Sequence, residues 1–261
     1  MKNLVKKIRS IPWWGWVAGF VLFGMQYGIY RLGAWLSQVT GTISWAFEWK
    51  WPWIDDLFPV VPVFAVIYLF SYVVWICGPI AVSLTKKRNF VNYICGLLLA
   101  YLIGFLFFVF MPTLMDREKE GLMEYIGKPG FFEGLLATVY DADGGKIAFN
   151  LFPSYHCLIT LYCYLGVRKQ PEISKAYKIY MIVMVVLICL STLLTKQHYI
   201  VDMFGGLGIS LLCYLLMNRL DPGSRWAAKH PEKVKGETRE EVAPKEEGTA
   251  PETEAESTEG K

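Results

Sequence analysis

The chain has 261 residues, of which 54% are apolar, and its 26 Lys and Arg against 23 Asp and Glu give a net charge of +3. The apolar residues fall into long runs, which excludes an ordinary soluble domain and is typical of a protein that crosses a membrane several times. Residues 221–261 carry 7 basic and 11 acidic residues. The basic remainder lies in short segments beside apolar runs, so it indicates membrane topology and not a nucleic-acid partner.

Six apolar segments are candidate membrane spans. Most of them reach the roughly 20 residues that cross about 30 Å of hydrocarbon. The fourth is short, which predicts that one of its ends lies below the membrane surface. We therefore predict an all-α fold, a polytopic bundle of six transmembrane helices. The segments are Trp13–Ser37, Val60–Leu84, Phe90–Met111, Phe152–Val167, Tyr177–Leu194 and Tyr199–Met217.

Lys and Arg collect at every second connection between these segments. Positive residues favour the cytoplasmic side of a membrane. We therefore predict a multi-pass plasma-membrane protein with both termini in the cytoplasm. The residues concerned are Lys2, Lys6, Lys7 and Arg9, then Lys86, Lys87 and Arg88, then Arg168, Lys169, Lys175 and Lys178, and finally Arg219 and Arg225.

The two long connections on the other side differ in character. Trp45–Asp56 carries four tryptophans among charged residues, which is typical of a segment in the membrane interface; an aromatic platform for a lipid headgroup is the alternative. Pro112–Leu151 is rich in glycine, and a connection of that length is usually functional or disordered. Within it, Asp141 and Asp143 do not continue a calcium-loop pattern, so we predict a turn and no metal site.

The chain divides into two parts. Residues 1–220 form the predicted six-span membrane domain, with its chemical motifs at about 90–217. Residues 221–261 are rich in Glu, Lys, Thr and Pro, which predicts a disordered, charged cytoplasmic tail. The six cysteines lie within or beside the apolar runs and are predicted to be small buried residues.

Two short stretches carry residues suited to catalysis. In the stretch 150–157, Ser154 is a predicted helix N-cap with His156 in the first turn, and first-turn amides bind anions. His198 and Asp202 stand four residues apart at the start of a span, so they share one helix face. A carboxylate there can fix one imidazole nitrogen and leave the other as a base or nucleophile. The predicted topology brings both histidines to one membrane face.

These stretches together resemble the second and third motifs of the type 2 phosphatidic acid phosphatase and vanadium haloperoxidase superfamily. The second motif corresponds to residues 153–156, and the third to Ser191 followed by His198 and Asp202. Two positions depart from the usual pattern, since Tyr155 replaces a glycine and Thr192 replaces an arginine. With Lys196 nearby, the third motif is similar to that of inositol-phosphorylceramide and sphingomyelin synthases.

The first motif of the superfamily is weak in this chain. Phe110 stands where a lysine is usual, and Glu118 replaces a proline. The stretch 110–118 still looks like a segment of bacterial members, which leaves Arg117 as the best match to the first-motif arginine.

The resemblance implies a role for each matched residue. His198 would attack phosphorus, Asp202 would orient it, and His156 would protonate the leaving group. Arg117 and Ser154 would bind the phosphoryl oxygens, and Lys196 would supply the missing positive charge or extend to water. No metal or other cofactor is implied.

The function expected from these observations is hydrolysis of a lipid phosphate monoester or pyrophosphate at the outer membrane face, through a phosphohistidine intermediate. Transfer of a phospho-headgroup to a lipid alcohol is the alternative, and a non-catalytic lipid-binding relative is the second. A small transporter is disfavoured because the polar residues gather at one face and not at the midplane. The sequence leaves open whether the lipid is phosphatidic acid, phosphatidylglycerol phosphate, a polyprenyl phosphate or an inositol- or choline-phosphate lipid. It also leaves the oligomeric state open.

Overall fold

The computed structural model describes residues 9–230. Within them the fold is all-helical, as predicted, apart from one small two-stranded sheet. The α-helices are α1 (Trp13–Val39), α2 (Pro52–Asp55), α3 (Phe64–Val82), α4 (Lys87–Phe110), α5 (Phe131–Ala142), α6 (Tyr155–Val167), α7 (Lys175–Leu194), α8 (Ile200–Leu220) and α9 (Pro222–Lys229). The basic residues 2–7 and the predicted tail from 231 lie outside the described residues.

Each of the six predicted spans contains a helix, and four of those helices are long and apolar enough to cross a membrane. The four are α3, α4, α7 and α8. Helix α1 has 27 residues, but its glycines, tyrosines and tryptophans make it less apolar. Helix α6 has only 13 residues and is buried along most of its length among its neighbours. A buried central helix does not have to match the thickness of the lipid, which explains its shortness.

Hydrogen bonds between neighbouring helix termini identify the two opposite ends of the bundle. At one end, the Ser154 amide before α6 donates to the carbonyl of Asp202 in α8, at 3.0 Å. At the other end, Asn89 in α4 donates to the carbonyl of Gly166 in α6, at 3.1 Å. The basic connection 86–88 therefore lies at the end opposite to the segments that carry His156 and His198.

The long connection 112–151 is folded. Its strands β1 (Leu114–Asp116) and β2 (Ile147–Phe149) pair antiparallel, with Met115 opposite Ala148. A 3-10 turn (Leu122–Tyr125) and α5 lie between the two strands in the chain. The glycine-rich segment after α5 forms the predicted turn, and Gly144 and Gly145 have the positive φ angles that such a turn requires.

The start of the predicted tail is helical, so the disorder predicted from residue 221 does not begin there. Asp221 caps α9 and bonds to Arg88 at 2.6 Å and to Asn92 at 3.0 Å, both in α4. Composition alone missed this helix because its stability comes from contacts with a distant element and not from its own weakly apolar sequence.

Candidate active site

Two histidines meet at one end of the bundle. His156 lies in the first turn of α6, where the Ser154 hydroxyl accepts from the Cys157 amide at 3.5 Å as predicted for an N-cap. His198 lies two residues before α8. The two ring centroids are 6.0 Å apart, and both side chains are largely buried. The structure thus brings together the two histidines that the sequence separates by more than 40 residues.

His198 lies beside the buried carboxylate of Asp202. The Nδ1 atom of His198 lies 3.5 Å from the Oδ2 atom of Asp202, whose side chain is 0% exposed. The same oxygen accepts from the Tyr199 amide at 2.8 Å, which fixes the carboxylate. Since Nδ1 is directed at the acid, Nε2 is the nitrogen available for chemistry.

His156 packs among aromatic rings of α3. Tyr68 stacks on its imidazole with a centroid distance of 4.0 Å, and Trp75 lies 4.8 Å away. Within residues 9–230 its buried Nε2 atom has no hydrogen-bond partner. A buried nitrogen without a partner costs free energy, so this atom is suited to meet a substrate.

A cavity of about 540 Å³ opens onto both histidines. Its walls are largely aromatic and apolar, and its volume lies in the range of small-molecule sites. Among the described residues, those lining it include no lysine or arginine. The lining residues are Phe23, Gly24, Gln26, Tyr27, Tyr30, Tyr68, Leu69, Tyr72, Phe108, Thr138, Val139, Ala142, Asp143, Phe149, Asn150, Leu151, Tyr155, His156, Gln197 and His198.

Arg117 lies behind this cavity. Its side chain is 0% exposed and pairs with Asp143 at 2.8 Å. Its other hydrogen bonds go to the carbonyls of Tyr140, Asp143 and Gly145, at 3.2, 3.5 and 2.8 Å, and to the Gln197 side-chain oxygen at 3.2 Å. In this structure the arginine therefore holds the folded connection against the site, and its direct contact with a phosphate stays a prediction.

Ser154 and Lys196 also lie outside the cavity wall. Ser154 is 0% exposed and serves as the helix cap. The Lys196 ammonium donates to the Asp55 carbonyl at 2.7 Å, and burial together with nearby Lys50 lowers its pKa. Lys196 has a φ of +48°, the left-handed conformation that ends α7 and allows the sharp turn into His198. The phosphate-binding roles of both residues remain predictions.

Thr192, which replaces the usual third-motif arginine, shapes the same turn. Its carbonyl accepts from the amides of Gln197 and His198, at 3.0 and 3.2 Å. Its side chain is buried and donates to the Cys189 carbonyl. The position is therefore structural here and supplies no charge to the cavity.

Sequence reasoning missed four residues of the site. Tyr68 and Asp143 line the cavity, and Gln197 links Arg117 to His198. Asp55 holds the start of α8 through the Ile200 amide at 2.7 Å. Burial raises the pKa of the Asp143 carboxyl, and the neighbouring Arg117 opposes that rise. Only Gln197 had a local signal, its position directly before His198, because the other three act through long-range contacts.

The fold and site define a helical protein of membrane type with a histidine-based centre. A family model described as the PAP2 superfamily matches residues 34–216, and the chain belongs to that superfamily. This confirms the resemblance to type 2 phosphatidic acid phosphatases, and membership indicates a phosphatase or phosphotransferase type of activity. The similarity to sphingomyelin synthases stays a prediction. Searches of curated proteins and of solved structures gave no match.

Proposed function

We propose that this protein is an integral membrane phosphatase that hydrolyses a lipid phosphate monoester or pyrophosphate through a phosphohistidine intermediate. One observation carries the proposal: His198, paired with Asp202 at 3.5 Å, opens with His156 onto a single cavity with aromatic walls. A nucleophile, the acid that orients it and a second proton carrier are the parts that phosphoryl transfer through histidine requires.

In the first step, Nε2 of His198 attacks phosphorus and forms a P–N bond. The bond from phosphorus to the lipid oxygen breaks, and protonated His156 gives its proton to that oxygen. Asp202 stabilises the positive charge that develops on the His198 ring. The ring centroids are 6.0 Å apart, which is close enough for both imidazoles to contact one phosphoryl group in the cavity.

In the second step, neutral His156 removes a proton from a water molecule that attacks phosphorus. The P–N bond breaks, phosphate leaves, and both His198 and His156 return to the protonation states in which they began. In this proposal the free amides in the first turn of α6 stabilise the phosphoryl oxygens. Direct contact between Arg117 and the phosphate would require its ion pair with Asp143 to open. Contact between Lys196 and the phosphate would require its bond to the Asp55 carbonyl to open.

We further propose six spans in the plasma membrane, with both termini cytoplasmic and the site at the outer face. The separation of charge supports this orientation, since the basic connections 86–88 and 168–178 lie at the end opposite to the histidines. In this arrangement membrane lipids surround the protein, and the lipid substrate reaches the site from the same membrane.

Headgroup transfer to a lipid alcohol is the second candidate function. The third-motif similarity and the size of the largely apolar cavity favour it, because a second lipid has to reach the same phosphorus atom. Transfer uses the same three residues, with the lipid alcohol in place of water.

Phosphate release by detergent-purified protein tests the proposal. The panel contains phosphatidic acid, phosphatidylglycerol phosphate and a polyprenyl pyrophosphate, with EDTA present and with ceramide or diacylglycerol as optional acceptors. We expect release that survives EDTA and is lost in His198→Ala but kept in His230→Ala, a matched control outside the site. Headgroup transfer without release would favour the second candidate. Neither activity in a folded protein would contradict both and favour a non-catalytic relative.

A further inference from the structure

Gln197 is a buried amide on the wall of the candidate site. Its side chain is 2% exposed, lines the cavity and stands directly before His198. Within the described part of the chain, its Nε2 atom has no hydrogen-bond partner. An unpaired buried amide donor costs free energy, which indicates that a ligand acceptor completes it.

Arg117 determines which way this amide points. The Nη2 atom of Arg117 lies 3.2 Å from the Oε1 atom of Gln197. A guanidinium group can only donate hydrogen bonds, so the atom of Gln197 that faces it is the oxygen. The NH2 group is thereby directed away from Arg117.

The cavity needs a neutral donor of this kind. Among the residues described, its lining contains no lysine or arginine, although a phosphate carries negative charge. Arg117, the nearest matched cation, is occupied by Asp143 at 2.8 Å and by the backbone of the connection. Its guanidinium does not line the cavity, but it bonds to two residues that do, Asp143 and Gln197, and of these only the Gln197 amide can donate to an anion.

We propose that Gln197 is a further catalytic residue whose Nε2 donates to a phosphoryl oxygen, with Arg117 as the positioning residue that fixes the amide. The proposal deepens the proposed function and rests on it. Charge grows on the phosphoryl oxygens as His198 attacks, and a fixed dipole aimed at them lowers the barrier without reorganising.

The test compares Gln197→Glu and Gln197→Met with wild type. Glutamate keeps an acceptor for Arg117 but removes the NH2 group, and methionine removes both polar atoms at similar size. We expect kcat to fall about 100-fold or more in each, the size of effect that follows loss of one oxyanion donor, with the unfolding temperature nearly unchanged in Gln197→Glu. Gln38→Glu, the same change at an exposed position, is the control and should retain activity.

Orthovanadate provides a readout that a structural role would not change, because it mimics the five-coordinate phosphoryl group. It should raise the unfolding temperature of wild type and of Gln38→Glu, but not that of Gln197→Glu. Two active variants that retain the vanadate response would overturn the assignment of Gln197. A third outcome separates the two proposals: wild type releases no phosphate but is stabilised by vanadate, and Gln197→Glu is not. That result would overturn the phosphatase function and leave the oxyanion role of Gln197 standing.

Discussion

Asp55 accepts a hydrogen bond at 2.7 Å from the backbone amide of Ile200, the first residue of α8, although 145 residues separate the two in the chain. Its other oxygen accepts from the Trp51 amide, also at 2.7 Å. These two hydrogen bonds connect the tryptophan-rich segment 45–56 to the start of α8, the helix that carries Asp202. A carboxylate at a helix start is favoured by the helix dipole and by the unpaired first-turn amides.

Replacing this carboxylate should loosen the site. Asp55→Ala leaves the buried amide of Ile200 and the part-buried amide of Trp51 without an acceptor, so we expect a loss of about 1–3 kcal/mol of stability and a lower kcat. Thermal unfolding and phosphate release measure the two effects. Asp56→Ala is the control, since Asp56 is 59% exposed and bonds only at the surface, to Lys50. Equal effects of the two substitutions would contradict this role.

Asp202→Asn should reduce kcat by about 10²–10⁴-fold, with little change in unfolding temperature. The amide retains the size of the side chain and an acceptor for Tyr199, but not the charge that stabilises the His198 cation. Steady-state kinetics on the substrate found in the panel measure this effect. A variant within threefold of wild type would show that His198 does not depend on Asp202.

Gly206 and Gly208 form a matched pair on α8. A Cβ at Gly206 would lie 2.3 Å from the Ser154 carbonyl oxygen, whereas nothing lies within 4 Å of one at Gly208. Gly206→Ala should therefore push α6 away from α8, lowering both the unfolding temperature and the activity. Gly208→Ala should be neutral or stabilising by up to about 1 kcal/mol, because alanine favours a helix. Similar unfolding temperatures for the two variants would contradict the close packing.

Tyr68 holds the ring of His156 by stacking. Tyr68→Phe keeps the stacked ring and should retain activity. Tyr68→Ala should lower kcat about 3- to 10-fold, as expected when an aromatic pair worth about 0.5–1.5 kcal/mol no longer positions the imidazole. The comparison fails if both variants behave alike.

The carboxylate of Asp221 should make the stability of the contact between α9 and α4 depend on pH. Hydrogen bonds from Arg88, Ser224 and Asn92 hold the pKa of its carboxyl well below the usual value. The folded state therefore binds this proton less readily than the unfolded state, so the stabilisation is present above about pH 4 and is lost as the pH falls below it.

Asp221→Asn should remove that part of the pH dependence. Unfolding temperatures measured from pH 6 down to pH 3 should fall less steeply in the variant than in wild type. Parallel curves for the two proteins would show that the carboxylate does not couple α9 to α4.

The sequence predicted features that depend on local patterns. The apolar runs predicted where helices lie, and the four-residue spacing predicted the His198–Asp202 pair. Contacts between residues far apart in the chain could not be predicted from these local patterns. Nothing near Asp143 in the sequence indicates that it pairs with Arg117, and nothing near Asp55 indicates that it holds Ile200. Arg117 matched a motif, but the folded connection around it supplies most of its partners.

The covalent intermediate tests the central claim most directly. Purified protein is mixed with the active lipid phosphate, quenched in alkali within the first turnovers, and digested for mass spectrometry. We expect a phosphoryl group on His198 in wild type and in His230→Ala, or a phospho-headgroup there in the case of transfer. His198→Ala should carry no such group at this position and should be inactive. Phosphate release at the wild-type rate by His198→Ala would contradict the account.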